Sequence, residues 1–296
     1  MSFKSVVVVG GGGNLAPVLI KTLLQSSLKV TVLSRQSSRG TFPPDVNVVK
    51  ISDEYPHDEI VAALKGHDAV VSTFTSVQKA VIDASIEAGI KRFVPAEFGS
   101  DNRSAEAQAA VPLWKDKVAA VDYLKSKESS GLSWTAVACN PFFDWAFNVT
   151  KGGFFKIDLK NKKALVFDNG NHLWSTSNLH QVGLAVRRVL ENPEVVKNKY
   201  VFVESFTITQ NQLLDGLEKG LDIKFDREVV DGKPWLAEQA RQSAAGNVPA
   251  QYSAIIGWSI LYGNFKDLKE YGNELLGIPL ENFDESLKEI VESLKA

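Results

Sequence analysis

Two hydrophobic periods alternate along the first half of the chain. Val6, Val7, Val8 and Val9 form a continuous β-branched run that meets four glycines, Gly10 to Gly13, after which Leu15, Val18, Leu19 and Leu23 recur at helical spacing. The pattern predicts a strand, a tight turn and a helix. Apolar runs at 29–33, 46–51, 69–72, 92–94 and 132–139 predict further strands. Residues 57–64 and 77–88 predict helices, the second closed by Gly89, and a polar loop at 100–110 leads to a helix opening near Pro112. Strands alternating with helices at this spacing predict an α/β fold on a doubly wound parallel sheet, with ligands beyond the carboxyl ends of the strands.

The second half gives a coarser reading. Strands are expected at 163–167, 200–203 and 225–230. Helices are expected at 179–190, from a cap at Thr207 or Thr209 through Leu217, at 249–262 over the pocket, and at 286–294. We expect residues 1–150 to form a cofactor domain and 151–296 a smaller substrate lobe, with a part around 179–203 returning to the main sheet. Gly152-Gly153 and Asn169-Gly170-Asn171 mark candidate hinges.

Glycines between such a strand and helix suit a dinucleotide. One permits the turn, one lets the backbone approach a pyrophosphate, and a small residue further on lets the helix pack with its N-terminal N–H groups facing the phosphates. Two registers fit, Gly11-Gly13-Ala16 and Gly10-Gly13-Ala16, and Pro17 sits in the first turn, where its missing N–H costs nothing. Gly10, Gly11, Gly12, Gly13, Asn14 and Leu15 are therefore candidate cofactor contacts. The second strand ends Ser34-Arg35-Gln36-Ser37-Ser38-Arg39, with no acid for a ribose 2′-hydroxyl. Ser34 and Arg35 suit a 2′-phosphate instead, which favours NADP over NAD. Thr73, Phe74 and the Pro95-Ala96-Glu97-Phe98-Gly99 loop are expected at strand ends beside the cofactor, and Gln78, Asn140 and Phe142 complete the candidate set.

Composition narrows the chemistry. With 296 residues and 44% hydrophobic content the chain can bury a large core as one domain or two unequal lobes. A net charge of −2 gives no reason to expect nucleic acid or an anionic membrane. The single cysteine, Cys139, excludes an intrachain disulfide and fits a reducing compartment. The start of the chain enters a core strand almost directly, and no apolar run reaches the roughly 20 residues of a spanning helix, so a cytoplasmic protein is expected. His57, His67, His172 and His180 are scattered without metal-ligand spacing, so no metal is expected. There is no G-x-S-x-G elbow and no Walker lysine.

One lysine breaks a helical pattern. Trp114, Val118, Val121 and Leu124 share a face, with Lys115, Asp116, Asp122 and Tyr123 away from it, yet Lys117 falls on the apolar side. Such a lysine either snorkels outward or reaches into a cavity, where desolvation lowers its pKa and suits it to proton transfer. Lys117 is the candidate catalytic residue and also a candidate cofactor contact, able to hold a ribose hydroxyl. Two Tyr-x-x-x-Lys spellings, Tyr123/Lys127 and Tyr262/Lys266, are expected to be accidental. Asn140-Pro141-Phe142-Phe143-Asp144-Trp145 should sit at a strand end, where Phe98, Phe143 and Trp145 are candidate substrate contacts, with Phe147, Phe154 and Phe155 near them. Flat apolar walls suit a small planar or phenolic substrate. The oligomeric state, monomer or homodimer, is left open.

These motifs together carry a resemblance. VVVVGGGGNLAP, the strand-end Ser-Arg, RFVPAEFGSDN, the spacing from Pro112 to Lys117 and SWTAVACNPFFDW resemble the NmrA-like and isoflavone reductase-like group of atypical short-chain dehydrogenases, particularly its fungal members. The resemblance implies an NADP-binding Rossmann domain with a smaller substrate domain and, in the reductase branch, a lysine at the position of Lys117. It implies an NADPH-dependent reductase; the regulatory branch implies the alternative, a non-catalytic NADP(H) sensor. Ala16 replaces the usual third glycine, Ala96 stands where plant members tend to have serine, and residues 127–130 lengthen the loop after the lysine helix.

Overall fold

The structure, a computed structural model, describes residues 3–295. Its main sheet is built from β1 (Ser5–Val9), β2 (Lys29–Arg35), β3 (Asn47–Ile51), β4 (Ala69–Ser72), β5 (Arg92–Val94) and β6 (Ser133–Ala138). After three short strands of a second lobe, β7 (Ile157–Asp158), β8 (Lys163–Phe167) and β9 (Trp174–Thr176), the chain returns with β10 (Lys199–Phe202), which pairs in parallel with β6. The spatial order is β10-β6-β5-β4-β1-β2-β3. All of these pairings are parallel, as expected for a doubly wound sheet. β1 is flanked by β2 on one side and β4 on the other, so the strand order reverses there and a crevice opens at the carboxyl end of β1.

Helices on both faces explain why β1 is valine throughout rather than alternating with polar residues. On one face, α1 (Ala16–Leu24) and α7 (Leu179–Glu191) pack Leu19, Leu23, Val182 and Val186 over Val6 and Val8. On the other, α2 (His57–Leu64), α3 (Gln78–Glu87) and α5 (Lys115–Ser126) pack Ile60, Val81, Val121 and Leu124 over Val7 and Val9. Two short helices, α4 (Ala105–Ala110) and α6 (Phe143–Asn148), precede α5 and follow β6 respectively.

The second lobe has its own core. β8 pairs antiparallel with β7 and parallel with β12 (Asp226–Val230), while β9 and β11 (Phe206–Ile208) form an antiparallel ribbon. Around them lie α8 (Gln210–Leu221), α9 (Gly232–Ala244), α10 (Val248–Tyr262), α11 (Gly272–Leu276) and α12 (Phe283–Lys295). Thr209, not Thr207, caps α8, through a capping box with Gln212. Gly216 and Gly220 of α8 let α12 approach: a Cβ at 216 would lie 2.2 Å from Leu287 Cδ2.

Several elements depart from expectation. Part of the polar 100–110 loop is α4, an Ala-rich turn whose Ser104 hydroxyl accepts the Ala107 N–H. The sequence did not suggest α9, because it buries only Gly232 and Leu236 and shows no apolar stripe. The two- and three-residue strands β7, β9 and β11 are too short to show a period.

Candidate active site

The glycine turn opens a cleft of about 480 Å³ at the switch point. Gly10 sits at φ +92°, and a Cβ there would lie 2.9 Å from both Phe74 Cβ and Thr73 Oγ1, so this position demands glycine. Gly11 is crowded for a different reason, since its Cβ would lie 2.6 Å from the Phe42 ring and 2.8 Å from Val32. Gly13 faces open space, with nothing within 4 Å of an added Cβ. Backbone can therefore come close to a phosphate at Gly13 while Gly10 makes the turn. Thr73 staples that turn by donating its hydroxyl hydrogen to the carbonyls of Val9 (3.0 Å) and Gly10 (2.8 Å). Ala16, fully buried, opens α1, and Leu15 at its cap offers no side-chain acceptor, which leaves first-turn N–H groups for a ligand.

The loop after β2 forms the other wall of the cleft. Ser34, Arg35, Ser38 and Arg39 line it. Lys50 braces the loop by donating to Ser34 Oγ (3.3 Å) and to the carbonyls of Arg35 (3.0 Å) and Ser38 (2.9 Å). Among the described residues no acid lines this cleft, although Asp53 accepts the Ser37 N–H at 3.1 Å and feels the charge of Arg35. Phe74 stacks on Tyr55 at 6.2 Å between centroids and 23° between planes, which gives the cleft an aromatic wall. Arg39 and Ser38 were visible in the loop sequence. Tyr55, just ahead of α2, gave no signal, and only the fold brings it here.

A second cavity of about 610 Å³ begins at Asn14, one residue beyond the glycines. Phe98, Phe142, Trp145 and Phe154 give it aromatic walls, and Tyr252 and Ile255 of α10 close its far side. Lys117, in the first turn of α5, lines the cavity and donates from Nζ to the backbone carbonyl of Glu97. Burial holds its pKa below the ordinary lysine value, against the opposing pull of Glu97. The loop that supplies this carbonyl is tightly shaped: Glu97 N donates to Pro95 O (2.8 Å), Phe98 has φ 29°, and Phe98 N donates to Val137 O (2.9 Å).

The structure places the sequence-selected residues unequally. Gly10, Gly11, Gly12, Gly13, Ser34, Arg35, Thr73 and Phe74 line the first cleft; Asn14, Phe98, Lys117, Asn140, Phe142 and Trp145 line the second cavity. Asn140, at φ 56°, has its side chain committed elsewhere, accepting from Ser100 Oγ (2.6 Å) and donating to the carbonyls of Ser175 (2.6 Å) and Gly263 (3.2 Å). Three candidate contacts stand apart from both cavities. Gln78 lines neither cavity: it is buried under the 95–99 loop, where its Oε1 accepts the Ala96 N–H at 2.6 Å. Leu15 also lines neither, its side chain packing into the core beside α1. Phe143 is fully buried among Phe147, Phe155 and Phe206 in the second-lobe core. The reason is helical geometry: α6 starts at Phe143, so Phe143, Ala146 and Phe147 share the inner face while Phe142 and Trp145 turn to the cavity.

Leu113, Trp114, Thr150, Gly153, Tyr252 and Ile255 line the second cavity without having been proposed as contacts. Their signal was weak because they come from three separate segments. Tyr123 is not at the site; its hydroxyl donates to Asp83 on α3, and Tyr262 is 45% exposed on α10. Among the described residues no group of histidine, cysteine and carboxylate side chains is arranged to hold a metal, and no helix is long and apolar enough to cross a membrane.

Comparison with known proteins gives the chain its relatives. The sequence profile of the NmrA-like family matches residues 2–253. The chain is 34% identical over 302 residues to Oxidoreductase aprR of Aspergillus flavus, covering 97% of this chain and 98% of that protein. It is 25% identical over 293 residues to phenylcoumaran benzylic ether reductase Pyrc5 of Pyrus communis, covering 93% of each. Among solved structures it resembles AtPrR2 with NADP+ and (+)pinoresinol, with a TM-score of 0.77, 22% identity, and coverage of 98% of this chain and 99% of that one. Profile, length and fold agree: the chain belongs to the NmrA-like family.

Proposed function

We propose that the protein is an NADPH-dependent reductase acting on a small aromatic or conjugated carbonyl or alkene, with Lys117 as proton donor to, or polariser of, the substrate oxygen. One observation carries this reading: Lys117 lines an aromatic cavity whose wall includes Asn14, the residue that follows the glycine turn. The residues present fit the cofactor. Gly10 to Gly13 and the first turn of α1 would hold the pyrophosphate, and Arg35 and Arg39 with Ser34 would hold the 2′-phosphate. Asn14 and Phe142 line the second cavity. Bound NADPH supplies the hydride.

The chain's own residues do the rest. The aromatic walls exclude water and orient a planar substrate. The Lys117 ammonium offers a hydrogen to an oxygen that gathers negative charge, in a setting where a charge-assisted bond is strong. In this reading residues 1–150 hold the cofactor and residues 151–296 complete the substrate cavity. The names of the relatives, an oxidoreductase and a benzylic ether reductase, support the same reaction class.

The test is NADPH oxidation with a panel of aryl ketones, enones and quinone methides. Lys117→Ala should lower kcat/KM by about 100-fold or more, the usual weight of a general acid, while NADPH binding stays within a few-fold. Binding of NADPH with no turnover on any substrate, accompanied by cofactor-dependent changes in protein partners, would replace this reading with that of a sensor.

A further inference from the structure

The most unusual group behind the site is Glu97. Its side chain is 1% exposed. One carboxylate oxygen accepts from Asn102 Nδ2 at 2.7 Å, and the other has no hydrogen-bond partner among the described residues. Asn102, itself 1% exposed, likewise leaves its Oδ1 unpartnered. A buried carboxylate half satisfied in this way costs stability, so its presence calls for a use. The same residue's backbone carbonyl accepts from Lys117 Nζ. The tight turn at Pro95–Glu97 and the positive φ of Phe98 shape the backbone that presents this carbonyl to Lys117.

We propose that Glu97 is a positioning residue for Lys117, its carbonyl fixing the amine at the cavity wall and its buried carboxylate keeping that amine an ammonium. The inference rests on the reading of Lys117 as proton donor.

The charges around the pair leave Glu97 as the controlling one. Arg103 pairs with Asp101 from the same loop through two contacts of 2.8 Å and with Glu270 at 3.1 Å, so this cluster keeps an excess negative charge, and Asp101 adds to the upward push on Glu97. The Cys139 thiol at the end of β6 and the Tyr200 phenol on β10 are both pushed well up by burial, so both stay neutral. Gln78, from α3, is uncharged and engages the loop backbone. Burial raises Glu97 to about 7, against the pull of Lys117, and burial lowers Lys117, against the pull of Glu97. Each ion thus favours the other, and protonating the carboxylate loosens the proton on the amine.

The test follows the amine itself, so it needs no substrate. Full-length protein labelled with 13C at lysine Cε is titrated by NMR, the Lys117 signal being assigned from its disappearance in Lys117→Arg. In Glu97→Gln the Lys117 midpoint should fall by about one pH unit or more, and in Glu97→Asp by less. An unchanged or raised midpoint in Glu97→Gln overturns the proposal. Should that variant not fold, the wild-type curve decides: a second inflection of the Lys117 signal at the Glu97 midpoint supports the coupling, and a single inflection refutes it. Absence of NADPH turnover would count against the reductase reading and leave these curves untouched.

Discussion

Arg35 and Lys117 are the residues on which the sequence spoke most clearly, each because it breaks a local expectation. Arg35 ends a strand where NAD sites carry an acid, and Arg39 lines the same cleft. Arg35→Ala should weaken NADPH binding about 10- to 100-fold, the range for one charge-assisted contact, and leave NADH binding nearly unchanged; calorimetry at fixed ionic strength measures both. Lys117 stood out as a cation on an apolar helical face. Glu97, next to it in space, was legible only as one member of the 95–99 loop expected beside the cofactor. Its burial depends on Asn102 and on α5, neither of which a local pattern encodes. Adjacent aromatics were ambiguous for a related reason: Phe142 and Phe143 are chemically alike, and the start of α6 alone decides which one sees the cavity.

At the level of elements, close approach is secured by small residues in places that periodicity cannot flag. Gly183 lies inside α7, where a Cβ would stand 2.7 Å from Thr22 Oγ1 and 3.1 Å from Thr22 Cβ on α1. Gly183→Ala should therefore lower stability by a net of up to ~2 kcal/mol in urea unfolding, because a gain of about 1 kcal/mol in helix propensity offsets only part of an overpacking cost of about 1–3 kcal/mol. The turn between α8 and β12 depends on Glu218, which accepts from Lys224 Nζ (2.6 Å) and Phe225 N (3.1 Å) and pairs with Arg227 (3.1 Å). Burial alone would raise its pKa, but these donors bring it down from 4.5 to about 2. A carboxylate held below its unfolded value stabilises fully above pH 4.5 and loses that contribution as pH falls towards 2. Glu218→Gln should thus lower stability at neutral pH by roughly 1–3 kcal/mol and flatten the decline of Tm between pH 4.5 and 2. Helix and strand positions with a strong period, such as α2 and β4, were legible to the residue. α9, polar on most of its surface, was not.

For the whole molecule, the cavity joins both halves of the chain, since Asn14 and Lys117 face Tyr252 and Ile255 across it. A ligand that bridges or orders these parts stabilises the folded chain by mass action. NADPH at 100 times its Kd should contribute about 2.7 kcal/mol and raise Tm by roughly 4 °C, with NADH at the same concentration giving clearly less; scanning calorimetry distinguishes them. The sequence by itself determined the parallel sheet, the glycine turn and the lysine out of place, because each is written in a short stretch of chain whose period or backbone demand is local. Only the tertiary structure decided that Gly10 carries the turn while Gly13 lies open, that Tyr55 joins the first cleft, that Tyr252 and Ile255 are the residues by which α10 lines the second, and that a buried carboxylate stands behind Lys117. Those features depend on contacts between residues far apart in the chain, where burial and distance set the chemistry and residue type alone does not.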